Sequence, residues 1–503
     1  MSAKDAQGYH GFRGVGARLT EAPLEHVEFH KSGLLGESIH GIHAFDKAHA
    51  LMLGEQGINS PEVSRRILRA FLQMEGEGVE VARAKAEGGM HSGEHYLMQN
   101  LGEEIGGRLH LGRSSGDLIE VARRITFRRH VQAMLVALCD TRAALLVLAA
   151  QHLRTVMPGY THGQHAQPTT FAHWCTLFAE VFARDTARLL SFYTRVNRSP
   201  AGCAIMTGSD FPLNRQRVSD LLGFDEPLPH TWDAIMSHDL EMEYAGVLAV
   251  LSQNLGRIAD DLILWSTTEF AMVELPDRYC GTSSIMPQKK NPDGLEDMKS
   301  VAARAMGVVV TVMAAEKGPT GFPIMERRNS QAMLWDLGRD LALRFRSMGP
   351  LVTDMDVKIG RMGELAGANW AQVTDLSGAL VREAGWDWRT AHQVVAVLVR
   401  RCVRAGLAPA EASSAELDAA AVEFGVAPPG LARQVFADAM DPRKFVERRV
   451  IFGGPAPEAV QRELQGMHVQ LDADAAAVQA LADKVQRAEG RLEEAVARFV
   501  GQS

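Results

Sequence analysis

The sequence predicts an all-α fold organised around a central bundle of long helices. Apolar residues recur at helical spacing over long stretches, aromatic residues make up only 6% of the 503 positions, and alternating β-branched runs are scarce. No strand-then-helix alternation repeats, so a doubly wound or barrel sheet is not expected. The clearest element spans about residues 238–270. There Leu248, Leu251, Leu255, Ile258, Leu262 and Trp265 step by three and four, the seam of a bundle helix. Similar patterns predict long helices over 118–153, 171–193 and 294–315.

The flanks differ from this centre. Residues 1–113 carry shorter helical patterns joined at Gly33, Gly36 and Gly41. From about residue 367 the chain is Ala-rich, is broken at Pro409, Pro428 and Pro429, and closes on a charged helix over 471–500. The expected organisation is three helical parts, 1–113, 114–366 and 367–503. No repeat of solenoid length occurs.

Composition excludes several function classes. The formal net charge is −8, which argues against a nucleic-acid surface. The paired arginines Arg123/Arg124 and Arg128/Arg129 read as solvated helix faces. Five cysteines, an odd number with no CxxC, fit a reducing compartment, so a cytoplasmic location is expected. The first residues lack the apolar core of a secretory signal. No apolar run is expected to reach a membrane span, the best candidate (134–150) being broken by Asp140, Thr141 and Arg142. His91 and His95 would share a helical face with Glu94 between them, but the order is not HExxH and no third ligand is evident, so neither metal nor cofactor is expected.

The most informative segment is 281–296, GTSSIMPQKKNPDGLE. Gly and Pro punctuate it, and its hydroxyls compete for backbone hydrogen bonds, so it reads as a loop. It places hydroxyls beside lysines, the ingredients of a base next to fixed positive charge. It resembles the signature loop of the aspartase/fumarase superfamily, in the form closest to argininosuccinate lyase. Two more segments match that pattern in order: Arg108 to Ser114 (RLHLGRS), and Met157 to His162 (MPGYTH) continuing to Gln164, Gln167 and Pro168. Residues 48–53 (AHALML) resemble the family's early helix.

The resemblance implies a tetramer with a helical core, sites shared between subunits, and elimination from a substituted succinate to release fumarate. Such a reaction removes a weakly acidic proton beside a carboxylate, and the resulting dianion must be stabilised by fixed donors and cations. The resemblance makes Ser283 the base, its hydroxyl pKa lowered by surrounding donors. Lys289 and Asn291 grip a carboxylate. Backbone N–H groups of the 281–286 stretch, with Ser284 and Met286 among its residues, bind the dianion. Ser114 and Thr161, with Gln164 beside it, reach the other carboxylate. His162, paired with Glu296, organises the site or moves protons. Arg113 and Asp117 are expected to be structural.

Departures from the family pattern bear on the substrate. The usual GRSRND reads Gly112-Arg113-Ser114-Ser115-Gly116-Asp117, losing an Arg and an Asn. In the stretch that contacts the amine, Pro323, Arg328 and Gln331 replace Tyr, Gln and Lys, and the Ser-Asp-Arg-Asp segment becomes Ser237-His238-Asp239-Leu240. These changes argue against arginine as the leaving amine, because a polar site rejects a partner that leaves its groups unpaired. Arg327 and Arg328 are either contacts to an anionic group or surface arginines. Related lyases acting on aminopolycarboxylates such as ethylenediamine-disuccinate imply that the scaffold accepts other amines. Three alternatives stand beside this reading: a genuine argininosuccinate lyase, a lyase acting on another acid, and a non-catalytic protein like the lens crystallins derived from the family.

Overall fold

The computed structural model describes residues 35–236, 238–321 and 325–502. Residues 1–34 of the first part, and with them Gly33, together with Ser237, Pro323 and Ile324, lie outside that description. The architecture is all-α. In chain order the principal elements begin with α1 (Leu35–Glu55), α2 (Pro61–Glu77), α3 (Val79–Ala86), α4 (Ser92–Leu101) and α5 (Ser115–Gln151). A hairpin of β1 (Val156–Thr161) and β2 (Gln164–Thr170) follows, then α6 (Phe171–Val196) and α7 (Asp239–Trp265). Next come the short strands β3 (Gly281–Thr282) and β4 (Lys290–Asn291), then α8 (Asp293–Ala315) and α9 (Met325–Asp354). The C-terminal part holds α10 (Val373–Ala384), α11 (Trp388–Arg404), α12 (Ser414–Phe424) and α13 (Pro457–Gly501).

The bundle is α5 to α9, with α5 against α6 and α9, and α7 against α8. Helix α5 starts where Ser114 caps it and Asp117 returns the bond, a reciprocal capping box. Its 37 residues span about 55 Å at 1.5 Å each. The seam read from sequence is the core of α7: Leu248, Leu251, Leu255, Ile258 and Leu262 are fully buried and Trp265 nearly so. That helix ends at Trp265 rather than near 270. Ser266 and Thr267 turn their hydroxyls back onto the carbonyls of Ile263 and Leu264, which ends the run. The closing helix begins at Pro457, earlier than expected, because Pro is well placed in a first turn.

Several expectations are corrected. The hairpin fills the stretch left between the helices expected over 118–153 and 171–193, and it places His162 at its turn. Arg123, Arg124 and Arg128 are buried, not solvated. Arg124 and Arg128 donate to the backbone carbonyls of Arg195 and Leu222, tying α5 to the last turn of α6 and to the segment beyond it. Helices α5 and α8 are both long and apolar enough to cross a membrane by length and composition, contrary to the expectation that no run reaches that length. More than half of the α5 window is packed inside the protein. Less of α8 is covered, and it shows Met306, Val310 and Met313 on its surface.

Residues 376–439 have a core of their own, centred on Leu380, Val394, Leu398 and Leu417. Helix α13 lies outside that core and runs back along α5, where Arg142 pairs with Asp474 at 2.6 Å. All five cysteines are free thiols, four of them buried.

Candidate active site

The signature loop is a short hairpin-like excursion in which Gly281 and Thr282 pair with Asn291 and Lys290. Gly281 is required there, since a Cβ would strike the Asp293 carboxylate. The Ser283 hydroxyl oxygen accepts hydrogen bonds from the backbone N–H groups of Met286 (3.1 Å) and Ile285 (3.3 Å). Two N–H donors on one oxygen favour its ionised form. These N–H groups point at Ser283 itself, so in this chain they are not open to a substrate dianion. Thr282 Oγ1 and the N–H of Lys289 tighten the turn, bonding to Lys289 O and Met286 O. Lys290 is a strut, bound by Glu274 (2.7 Å), Asp277 (2.8 Å) and the carbonyl of Leu275 (2.6 Å). Ser284, Met286, Lys289 and Glu296 are exposed, Asn291 is half-buried, and Ile285 stands 83% exposed at the tip.

Thr161, His162 and Gln164 form the tip of the β1–β2 hairpin, where Thr161 pairs with Gln164 across a two-residue turn. His162 (φ 54°) and Gly163 (φ 71°) both take left-handed backbone, as such a turn demands. All three named side chains are exposed. Among the described residues of one chain, no hydrogen bond or ion pair joins His162 to Glu296, so the expected pair is not formed within a subunit. The hairpin and the loop nevertheless share one end of the bundle, since Tyr160 packs on Phe270, their ring centroids 5.8 Å apart.

Ser114 lies at the opposite end. Its oxygen accepts from Gly116 N (3.0 Å), and its hydroxyl is 3.3 Å from Asp117 Oδ2. Asp117 Oδ1 takes the N–H groups of Gly202, Cys203 and Ala204, which makes it a structural anchor. Arg113 pairs with Asp46 at 2.7 Å, and Arg83 binds the other oxygen of Asp46 at 2.6 Å. Ser115, which stands where the family pattern has Arg, is hydrogen-bonded to His91 Nε2 (3.0 Å). His110 Nδ1 lies 3.1 Å from Glu94 Oε2, and His91 Nδ1 lies 3.6 Å from it. His95 is not in this group and turns to the carbonyl of Ala86.

Two turns further along α5 is a buried charge network that sequence reading missed. Arg123 bridges Glu120 and Glu241, and Arg327 pairs with Glu316 at 3.2 Å. Arg327 is thus neither a surface arginine nor open to a substrate anion. Burial pushes the Glu316 carboxyl up to about 7. His238 and Gln331 are buried beside α5 and α9. Among the described residues, neither His238 ring nitrogen has a hydrogen-bond partner, and nor does Gln331 Nε2. Burial, with Arg123 next, pushes the His238 pKa down to about 2. Arg328 is half-buried and engaged. The i, i+3 spacing of Glu120 and Arg123 was the only local signal of this network, and Glu241 and Glu316 come from distant segments.

The separation of the two ends follows from the helices. Arg123 fixes the start of α7 beside the start of α5. The 27 residues of α7 then carry the chain about 40 Å along the bundle before the signature loop.

The protein family described as Lyase matches residues 59–307, and the family described as Argininosuccinate lyase C-terminal matches residues 370–447. The chain is 40% identical over 428 residues to an argininosuccinate lyase from Methanoculleus marisnigri, covering 83% of this chain and 85% of that one. It is 35% identical over 459 residues to an argininosuccinate lyase from Methanosarcina acetivorans, covering 91% and 92%. A crystal structure of EDDS lyase in complex with formate matches with a TM-score of 0.86 and 31% identity, over 93% of each chain. A class II fumarase from Schistosoma mansoni, at a TM-score of 0.67 and 18% identity, shares the fold.

Proposed function

The chain belongs to the argininosuccinate lyase-like branch of the aspartase/fumarase superfamily and is a fumarate-releasing carbon–nitrogen lyase, and from that premise we propose that it splits an N-substituted aspartate whose amine is not arginine. Ser283 removes the proton beside the carboxylate. Lys289 and Asn291 hold the carboxylate on which negative charge develops. Ser114 and Thr161 receive the other carboxylate, and His162 with Glu296 organises the proton traffic. The reaction runs in reverse as amine addition to fumarate, in the cytoplasm. The observation that carries the mechanism is the pair of backbone N–H donors on the Ser283 oxygen, which makes an ordinary hydroxyl a better base at neutral pH.

The site is assembled from more than one subunit. In support, the 27 residues of α7 rise about 40 Å between the bundle end that holds Ser114 and the end that carries Ser283, too far for one substrate. The uncovered apolar stripe of α8, Met306, Val310 and Met313, offers a surface for bundle-to-bundle packing into a homotetramer.

The choice of amine rests on the replacements at Ser115, Gly116, Arg328, Gln331 and His238. The second reading, arginine as the amine, is favoured by the argininosuccinate lyases that the chain resembles. Incubating the purified protein with fumarate and a panel of amines, and following adducts by mass spectrometry, decides between them. An adduct with an amine other than arginine supports the proposal. An arginine adduct replaces it with the second reading. If no amine reacts, the acid differs or the protein is a non-catalytic relative.

A further inference from the structure

Outside the residues given roles above, three side chains from three short elements converge near the N-terminus of α5. His91 ends a single helical turn (Gly89–His91), Glu94 lies in the first turn of α4, and His110 ends another short turn (Gly107–His110). One ligand atom from each lies within 4.8 Å of the others. We infer that His91, Glu94 and His110 form a binding site for a divalent transition metal of the zinc or cobalt class.

The distances fit that donor set. Zinc–nitrogen and zinc–oxygen bonds of about 2.0–2.1 Å in a tetrahedron place neighbouring ligand atoms about 3.3 Å apart. Two of the three ligand edges here, at 3.1 and 3.6 Å, bracket that value, and the third lies within 4.8 Å. The outer shell is in place too. His91 Nε2 is held by the Ser115 hydroxyl at 3.0 Å, which leaves Nδ1 turned to the centre, the usual way a ligating imidazole is oriented. The scaffold is rigid. Asp46 is clamped by Arg83 and Arg113, and a Cβ at Gly93 would strike the Asp46 carboxylate, so α4 is seated directly on that ion pair. His91 and Glu94 are buried, while the His110 side chain is 28% exposed. That open side leaves a fourth position for water or a carboxylate ligand. Two imidazoles and one carboxylate suit zinc or cobalt. Magnesium and calcium require more oxygen ligands than this site has.

The test uses the untagged full-length protein, stripped with a chelator and dialysed. Calorimetric titration with Zn2+, and visible absorption with Co2+, should each report one ion per chain, with the intense d–d bands of a tetrahedral cobalt site. Glu94→Gln and His110→Gln each remove a ligand and should weaken binding by more than the about 10- to 100-fold typical of losing an outer-shell partner, or abolish it. Circular dichroism and thermal melting would confirm that the variants are folded. His110 is part-exposed, so its variant remains readable if Glu94→Gln fails to fold. Absence of stoichiometric binding to the wild type, or binding unchanged in the folded variants, would overturn the inference and leave the three residues as a hydrogen-bonded brace.

Discussion

The distance between Ser114 and Ser283 makes a quantitative prediction about subunit mixing. An N-substituted aspartate spans roughly 10 Å, the reach of about three extended residues. The bundle ends that hold the two serines are separated by the length of α7, 27 residues or about 40 Å. If both contact one substrate, they must come from different copies of the chain. Ser283→Ala removes the base and should lower kcat by about 10²- to 10⁴-fold. Ser114→Ala removes a carboxylate donor and should raise KM more than it lowers kcat, at a capping cost of about 1 kcal/mol. Each variant is impaired at every site of its own assembly. When equal amounts are dissociated and reassembled together, a given site draws its Ser114 from an intact donor half the time, and its Ser283 likewise. About a quarter of sites are then wholly wild type, and at substrate well below the wild-type KM, where both parents are weak, specific activity should recover to about a quarter of the wild-type value. The assay is fumarate formation, followed by the ultraviolet absorbance of the conjugated diacid, with the amine adduct identified by mass spectrometry. Native mass spectrometry would verify exchange. Recovery no greater than the mean of the two parents, with exchange demonstrated, would refute the shared site. A Ser114→Ala variant with unchanged KM would instead remove Ser114 from the site.

Three further outcomes are expected. The buried His238, with its pKa held near 2 by burial and by Arg123, is neutral in the folded chain. The unfolded chain takes up the proton first, so its contribution to stability is full above about pH 6.5 and is lost as pH falls below that, by up to about 1.4 kcal/mol per pH unit. Urea unfolding of wild type and His238→Asn between pH 7 and 5 should show a shallower acid slope in the variant, and equal slopes would contradict the assignment. Arg123→Met strands Glu120 and Glu241 and should cost about 3–5 kcal/mol by the same unfolding measurement, whereas a loss under 1 kcal/mol would mean that water reaches the network. Val310 is 66% exposed, so Val310→Asp should leave helicity and secondary structure intact while lowering the mass seen by light scattering, and an unchanged assembly would exclude the α8 face as an interface.

What could be read from the sequence depended on how local the cause was. The seam of α7 was legible because one periodic pattern, Leu248 to Trp265, settles both helix and buried face. The signature loop was legible because its Gly, Pro and hydroxyl residues break regular structure over most of the segment, where two two-residue strands form before α8 begins at Asp293. The β1–β2 hairpin was not, since Val156 to Thr161 lacks clean alternation and Pro158 and Pro168 both sit within the strands, while His162-Gly163 is not one of the strong turn pairs. Buried charge was the least legible. Arg123, Arg124 and Arg128 look like a solvated face until Glu241, Arg195 O and Leu222 O arrive from elsewhere in the chain. The same holds for His91 and Glu94, whose partner His110 is supplied from beyond α4. The site itself lies one level further out. Its residue types could be read from the three matched segments, but a single chain folds them to opposite ends of a bundle. Chemistry that needs Ser114 and Ser283 together therefore depends on how the bundles pack, and the exposed apolar face of α8 is where that packing would be decided.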